Sequence, residues 1–190
     1  MSDKQLWLLA GGNGSGKTTF YNTQLKPLGM PFINADVIAK ELFPEAPEVH
    51  SYQAAAIATD LRSNLLNEGQ TFCFETVFSH PSKIDFVASA KAKGYQIILV
   101  FIHLVSPALN KARISQRMEE GGHFVPDVKV ENRIPRTMEN IKTALQLVDK
   151  AYLLDNSDAE MPFEQVAIKD GDSLSVLKKP LPEWVKYLLA

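Results

Sequence analysis

The sequence predicts one three-layer α/β domain around a central, mainly parallel sheet of five strands. Short apolar runs alternate along the chain with longer segments whose apolar residues recur at helical spacing. A length of 190 residues, with 45% hydrophobic and 22% charged residues, is typical of a single globular domain with a sizeable core. This alternation predicts right-handed crossovers and places a ligand at the carboxyl ends of the strands.

Five segments have the pattern of buried parallel strands, which are short apolar runs bounded by turn residues. The first runs directly into glycines, and the fourth is the strongest strand signal in the chain. The five predicted strands cover residues 5–10, 31–34, 71–75, 96–104 and 151–154. A hairpin at the sheet edge is predicted from 166–169 and 174–177, because these segments flank the turn residues 170–172.

Helices are predicted between the strands from apolar spacing and from capping residues. Ser106 is expected to cap a helix whose first residue is Pro107, and Asp36 is expected to open the helix after the second strand. The first helix is predicted to begin at about residue 16, and the others cover 36–43, 47–67, 79–93, 107–120, 126–150 and a short segment after 182.

Charge and cysteine content exclude several classes of protein. Twenty basic and twenty-two acidic residues give a net charge of -2, so the whole chain has no field that would hold nucleic acid. Cys73, the one cysteine, cannot form an internal disulfide, which fits a reducing compartment. The apolar run 97–102 is far shorter than the roughly 20 residues of a membrane span. We expect a cytoplasmic protein without nucleic-acid or membrane partners; the oligomeric state stays open.

A phosphate-binding loop is predicted immediately after the first strand. Residues 11–18 satisfy the pattern GxxxxGK(S/T) between a strand and a helix, which predicts the P-loop NTPase fold. Lys17 is expected to reach the β- and γ-phosphates, and the Thr18 hydroxyl to coordinate Mg²⁺. The alternative is a glycine-rich turn with a surface lysine and no ligand. The predicted nucleotide-binding residues are Gly12, Asn13, Gly14, Ser15, Gly16, Lys17, Thr18 and Thr19.

Two acidic residues follow strands at the edge where the P-loop lies. Asp36 is the candidate general base for an acceptor hydroxyl. The sequence favours equally an alternative role, in which Asp36 caps its helix. Glu75 follows three apolar residues, where a carboxylate is costly without a partner, so we expect it to face ligand or Mg²⁺ rather than to be a solvated strand end. The chain has neither NKxD nor DxxG, which favours a kinase over a switch GTPase.

Four arginines occupy two consecutive predicted helices. Arg113 and Arg117 lie four residues apart on one helix, and Arg133 and Arg136 lie three apart on the next. The Gly121-Gly122-His123 break between the helices predicts a lid over about 113–136, which could bring the four arginines to the transferred phosphoryl group. The alternative is that they are solvated, or paired with the glutamates at 119 and 120.

The order and spacing of these segments resemble the zeta toxin family of P-loop kinases, in particular its short, single-domain bacterial members. The resemblance implies that residues 1–190 form one kinase domain. It also implies transfer of the ATP γ-phosphate to a sugar hydroxyl of UDP-N-acetylglucosamine, with Mg²⁺ as cofactor and an antitoxin protein as a candidate partner. The segments that carry it are 11–19, 34–39, 74–79, 94–95, 106–107, 113–117, 121–126 and 133–140.

The resemblance also implies roles for individual residues. Asp36 matches the catalytic base, while Glu75 and Thr76 match the substrate side, with His123 as a hydrogen-bonding lid residue. Lys17 and Thr18 match the nucleotide and Mg²⁺ contacts. The phosphate-facing arginines would be Arg113, Arg117, Arg133 and Arg136. The chain departs from the family pattern at Val77, Asn132 and Ile134.

Two other functions stay open from the residues alone. The first is a polynucleotide or other small-metabolite kinase, since related kinases share this scaffold and act on different acceptors. The second is a nucleotide-gated binding protein without phosphotransfer.

Overall fold

The structure is a computed structural model that describes residues 4–119 and 127–190, apart from the side chains of residues 117–119, 127 and 129. Within these ranges seven strands form a single sheet in the order β2-β3-β1-β4-β5-β6-β7. The strands are β1 (Gln5–Ala10), β2 (Phe32–Ile33), β3 (Phe72–Thr76), β4 (Gln96–His103), β5 (Lys150–Asp155), β6 (Glu164–Asp170) and β7 (Ser173–Val176).

Five adjacent strands are parallel, as the sequence predicts, and the predicted hairpin extends the sheet to seven strands. The strands from β2 to β5 pair in parallel, whereas β6 and β7 pair antiparallel at one edge. β1 lies between β3 and β4, and its last residue, Ala10, is in register with Thr76 of β3 and Phe101 of β4. This register places the loop after β1 directly beside Glu75.

Helices cover both faces of the sheet, so the predicted three-layer arrangement is confirmed. Leu6 and Leu8 of β1 share a hydrophobic cluster with α3, α4, α6 and α7 on one face, while Leu9 packs with Tyr21 and Leu25 on the other. No helix in the described ranges is both long and apolar enough to cross a bilayer. The helices are α1 (Lys17–Phe20), α2 (Ala35–Leu42), α3 (Ser51–Asn67), α4 (Ser82–Ala92), α5 (Pro107–Glu119), α6 (Asp127–Ala144) and α7 (Glu183–Leu189).

Helix boundaries differ from the prediction in several places, and for three of them a neighbouring contact explains the difference. α4 begins at Ser82 rather than residue 79. α1 changes after one turn into a π-helical turn, Tyr21–Leu25, where Tyr21 stacks on Phe32 of β2. α3 begins at Ser51 rather than residue 47, after a turn in which the His50 ring stacks on Phe43. α6 ends at Ala144 rather than residue 150, because the Asp149 backbone N–H donates to the Ile97 carbonyl and the chain enters the sheet.

Candidate functional site

The loop between β1 and α1 has the backbone conformation that a P-loop requires. Gly14 and Gly16 have φ values of +76° and +96°, a region that favours glycine. A Cβ atom at Gly16 would lie 2.6 Å from Asn156 Nδ2, and one at Gly14 would lie 2.8 Å from the Asn110 carbonyl oxygen. The loop is therefore held close to its neighbours at both glycines, and neither position leaves room for a side chain.

Two buried asparagines that the sequence analysis did not single out brace this loop. Asn110 Nδ2 donates to the Asn13 carbonyl at 2.7 Å, and Asn156 Nδ2 donates to the Ser15 carbonyl at 2.9 Å. Asn156 directly follows β5, so the reasoning that selected Asp36 and Glu75 at strand ends also applies to it. Asn110 lies inside α5, where no sequence signal distinguishes it from a surface polar residue.

The hydroxyl, ammonium and carboxylate groups predicted to serve the phosphates lie in mutual contact. Thr18 Oγ1 donates to Glu75 Oε2 at 2.8 Å, and Lys17 Nζ lies 3.7 Å from Glu75 Oε1. Lys17 Nζ also donates to the Gly12 carbonyl at 3.0 Å. The side chains of Lys17 and Glu75 are only 6% and 11% exposed. Because hydroxyl and carboxylate oxygens are the ligands Mg²⁺ prefers, Thr18 and Glu75 fit a Mg²⁺ ion held together with phosphates.

Asp36 does not cap its helix, which corrects one of its two predicted roles. The cap is Asn34, whose Oδ1 accepts from the backbone N–H groups of Asp36 at 2.8 Å and Val37 at 3.4 Å. Once Asn34 satisfies the first turn, the Asp36 carboxylate is not needed there. It makes no hydrogen bond or ion pair with any side chain in the described ranges, and it lines two adjoining cavities.

These two cavities meet along the P-loop. The smaller, of about 110 Å³, lies over the loop between Lys17, Thr18 and Glu75. The larger, of about 400 Å³, lies between α2, α3, α4 and the segment after β3, and we call it the acceptor cavity. Asp36 and Glu75 line both, so a group bound at the P-loop and a molecule in the acceptor cavity would meet beside the two carboxylates.

The segment after β3 forms one wall of the acceptor cavity, and α6 holds it in place. Thr76 Oγ1 accepts from the Phe78 backbone N–H at 3.0 Å, while Phe78 has a φ of +63° and a buried ring. Thr137 Oγ1 donates to the Val77 carbonyl at 2.9 Å, and Asn140 Nδ2 donates to the Phe78 carbonyl at 2.9 Å. Two side-chain bonds from one helix thus fix the wall.

A third cavity, of about 470 Å³, lies on the other side of the P-loop. It is lined by Gly16, Thr19, Arg113 and Asn156, together with the ring of Phe163, which meets Phe20 edge to face at 5.4 Å. An aromatic face beside polar side chains is a common setting for a nucleoside. This third cavity is therefore the candidate nucleoside site.

The structure places the predicted arginines at different sites. Arg113 lines the nucleoside cavity, whereas Arg133 lines the acceptor cavity and donates from Nη1 to Asn13 Oδ1 at 3.4 Å. Arg136 is exposed and lines none of the three cavities formed by the described residues. The Arg117 side chain and His123 lie outside the described residues, as do the other residues of the segment 120–126 within the predicted lid.

Comparison with known proteins identifies the family. Residues 6–140, more than half of the chain, match the AAA domain family AAA_33. The chain belongs to the AAA_33 family. An uncharacterized protein of Haemophilus influenzae (strain Rd) is 29% identical to this AAA_33 chain over 140 residues, which cover 70% of the chain and 99% of the relative.

Solved structures share the fold of this AAA_33 chain. A chain of the native AvrRxo1-ORF1:-ORF2 complex superposes with a TM-score of 0.76 and 18% identity over 98% of this chain. A chain of the PezAT toxin-antitoxin system of Streptococcus pneumoniae superposes with a TM-score of 0.64 and 18% sequence identity, over 82% of this chain and 68% of that one. A gluconokinase from Sinorhizobium meliloti 1021 superposes with a TM-score of 0.52 and 16% sequence identity, over 82% of this chain and 84% of the gluconokinase. The likeness shows the kinase-like P-loop fold. This chain covers only 60%, 61% and 64% of the AvrRxo1 complex chains it matches.

Proposed function

We propose that the protein is an ATP- and Mg²⁺-dependent kinase that phosphorylates a hydroxyl of a sugar nucleotide, with UDP-N-acetylglucosamine as the acceptor. The observation that carries the proposal is the Asp36 carboxylate, which has no partner among the described side chains and lies where the P-loop cavity joins the acceptor cavity. A general base must lie between nucleotide and acceptor, and the position of Asp36 at the junction of the two cavities supports this role.

The reaction divides between the two cavities. Asp36 accepts the proton of the acceptor hydroxyl while the oxygen of that hydroxyl forms a bond to the γ-phosphorus. The bond between the γ-phosphorus and the oxygen that bridges it to the β-phosphorus breaks, and ADP leaves. Lys17 lines the cavity over the P-loop and would contact the γ-phosphate, and Arg133 lines the acceptor cavity, from which its positive charge would stabilise the transferred group. Thr18 and Glu75 would hold Mg²⁺, which would supply positive charge to the phosphates.

The choice of nucleotide and acceptor rests on similarity as well as on the cavities. One similar AvrRxo1 complex was solved with ATP, and the chain resembles the zeta toxin family in sequence order and PezAT in fold. A volume of about 400 Å³ lies in the range of small-molecule sites. We extend the proposal to a single kinase domain with a lid over about 113–136, a cytoplasmic location and an antitoxin partner.

Incubation of the protein with ATP, Mg²⁺ and UDP-N-acetylglucosamine tests the proposal directly. Mass spectrometry should detect ADP and a phosphorylated sugar nucleotide, and Lys17→Ala should abolish both products. Parallel reactions with gluconate and with an oligonucleotide bearing a 5′-hydroxyl cover the other acceptor classes. Phosphorylation of one of these instead would overturn the acceptor assignment. ATP binding with no transfer to any acceptor, including a metabolite extract, would overturn the kinase assignment and favour a nucleotide-gated binding protein.

A further inference from the structure

An arginine with little hydrogen bonding lies in the wall of the acceptor cavity. Arg62 of α3 is only 6% exposed, yet it lines that cavity. Its Nη2 donates to Thr59 Oγ1 at 2.9 Å, and its guanidinium lies over the rings of Phe74 and Phe86, 5.1 and 5.6 Å from their centroids. Its Nε is buried without a hydrogen-bond partner, and Arg62 forms no ion pair with any described residue. A buried cation in this state is costly unless an anion joins it.

A second cation lines the same cavity. Lys83, in the first turn of α4, is half-buried, and its ammonium group has no hydrogen bond or ion pair within the described ranges. Burial lowers the pKa of Lys83, and repulsion from Arg62 lowers it further, while burial also lowers the pKa of Arg62. Two neighbouring cations therefore face the cavity without compensating negative charge.

The acidic residues of the acceptor cavity do not compensate this pair. Glu75 is engaged with Thr18 and Lys17, and Asp36 makes no ion pair with either cation. Both carboxylates also line the smaller cavity over the P-loop, whereas Arg62 and Lys83 line only the larger one. Two other cations line the P-loop end of the acceptor cavity, where Lys17 lies 3.7 Å from Glu75 and Arg133 donates to Asn13. Arg62 and Lys83 form a separate pair of cations away from that end.

We propose that Arg62 and Lys83 form an anion subsite that binds a phosphate group of the acceptor while its reacting hydroxyl lies at Asp36. The proposal rests on the proposed function, because it takes this cavity to be the acceptor site. Two positive charges match the two negative charges of a nucleotide sugar's diphosphate, and an arginine guanidinium presents N–H groups in the geometry that phosphate oxygens accept. The subsite selects phosphorylated acceptors, of which a nucleotide sugar is one, over neutral sugars.

Calorimetric titration with pyrophosphate tests the subsite while saturating ADP and Mg²⁺ occupy the P-loop. Arg62→Met retains apolar contact with Phe74 and Phe86, and Lys83→Met removes the second charge. Each substitution should weaken pyrophosphate binding about tenfold or more, because a charge-assisted hydrogen bond is lost. Lys93→Met, at the exposed end of α4, removes one charge away from the cavity and should leave binding unchanged.

Three outcomes overturn the subsite: no binding of pyrophosphate to the wild type, equal affinity in the folded variants, or tighter binding of gluconate, which would indicate a carboxylate site. Thermal unfolding of each variant establishes that it is folded. If Arg62→Met does not fold, Lys83→Met decides the matter, since Lys83 is only half-buried and its ammonium makes no hydrogen bond within the described ranges.

Kinetics separates failure of the subsite from failure of the proposed function. With UDP-N-acetylglucosamine, Arg62→Met should raise KM about tenfold while kcat changes less, and N-acetylglucosamine should be a poor substrate of the wild type. A normal KM in both variants overturns the subsite and leaves the kinase in place. Pyrophosphate binding that depends on Arg62, in a protein that phosphorylates no sugar nucleotide, overturns the acceptor assignment and leaves the subsite in place.

Discussion

Asp36 lies in the first turn of α2, with Asn34 as the cap before it. Because Asn34 and not Asp36 caps the helix, Asp36→Asn removes the proton acceptor and leaves the cap intact. We expect kcat for phosphate transfer to fall about 10²- to 10⁴-fold, the usual contribution of a general base, with ATP affinity nearly unchanged. Steady-state kinetics and calorimetry measure the two effects.

Glu41→Gln is the matched control for that substitution. Glu41 is an exposed carboxylate on the same helix and lines neither cavity that Asp36 lines. The Glu41→Gln substitution should leave kcat within about twofold of the wild-type value. Equal turnover in Asp36→Asn and the wild type would remove Asp36 from the mechanism.

Gly16 provides a residue-level test of the P-loop itself. In Gly16→Ala the new Cβ meets Asn156 Nδ2 at 2.6 Å in a backbone with a φ of +96°. The loop must shift, so we expect ATP affinity to fall by about tenfold or more, as measured by calorimetry. Gly29→Ala is the control, since Gly29 has a φ of +71° and open space around its Cα. It should cost about 1–2 kcal/mol of stability without changing ATP affinity.

At the scale of elements, α6 determines the shape of the acceptor cavity through its bonds to the segment after β3. Thr137→Val removes the bond to the Val77 carbonyl, which is part-buried in the cavity wall. We expect about 1 kcal/mol of lost stability and an increase of about fivefold in KM for UDP-N-acetylglucosamine, with KM for ATP unchanged. Denaturant unfolding and steady-state kinetics provide the two readouts.

Thr143→Val makes the same chemical change one turn and a half further along α6. Thr143 is bonded within its own helix, to the Glu139 carbonyl, and lies on the surface. The Thr143→Val substitution should therefore change neither the KM for UDP-N-acetylglucosamine nor the KM for ATP. A similar rise in KM from both substitutions would mean that α6 acts through its general stability rather than through the bond to Val77.

Elements with strong local signals were predictable from the sequence. β1 and the P-loop are specified by an apolar run followed by glycines, and α5 begins at Pro107 because Ser106 Oγ accepts from the Ala108 N–H at 3.2 Å. The early end of α6 was not predictable, since it depends on Asp149 joining the sheet beside Ile97. Arg62 was missed for a similar reason: on α3 it looks like a solvated arginine until Phe74 and Phe86 come from other elements.

At the scale of the whole molecule, the net charge of the chain does not indicate which charges gather at the candidate site. A formal charge of -2 predicts that the surface as a whole does not attract polyanions. The cations that line the acceptor cavity come from four separate elements, α1, α3, α4 and α6, and converge only in the folded chain. Sequence alone could therefore place the P-loop, which is contiguous, but not Arg62 and Lys83.

Stability of the whole molecule should depend on pH through His103. This histidine, at the end of β4, contacts the ring of Trp184 of α7 at a tilt of 36°, with 4.7 Å between the ring centroids, and lies near Phe101. Burial lowers its pKa to about 4, although Asp155 opposes the shift. The unfolded chain binds the proton at a pKa near 6.5, so protons favour unfolding between these two values. The stability from neutral His103 is complete above pH 6.5 and is lost as the pH falls towards about 4.

His103→Phe should flatten that pH dependence, because it keeps a ring against Trp184 and removes the titrating group. The wild type should lose up to about 3 kcal/mol from this group between neutral pH and pH 4, and the variant should lose correspondingly less. Urea unfolding at half-unit steps of pH measures both slopes. His80→Phe changes an exposed histidine and should retain the wild-type slope. Identical slopes in His103→Phe and the wild type would show that acid destabilisation comes from other groups, since only His103 differs between them.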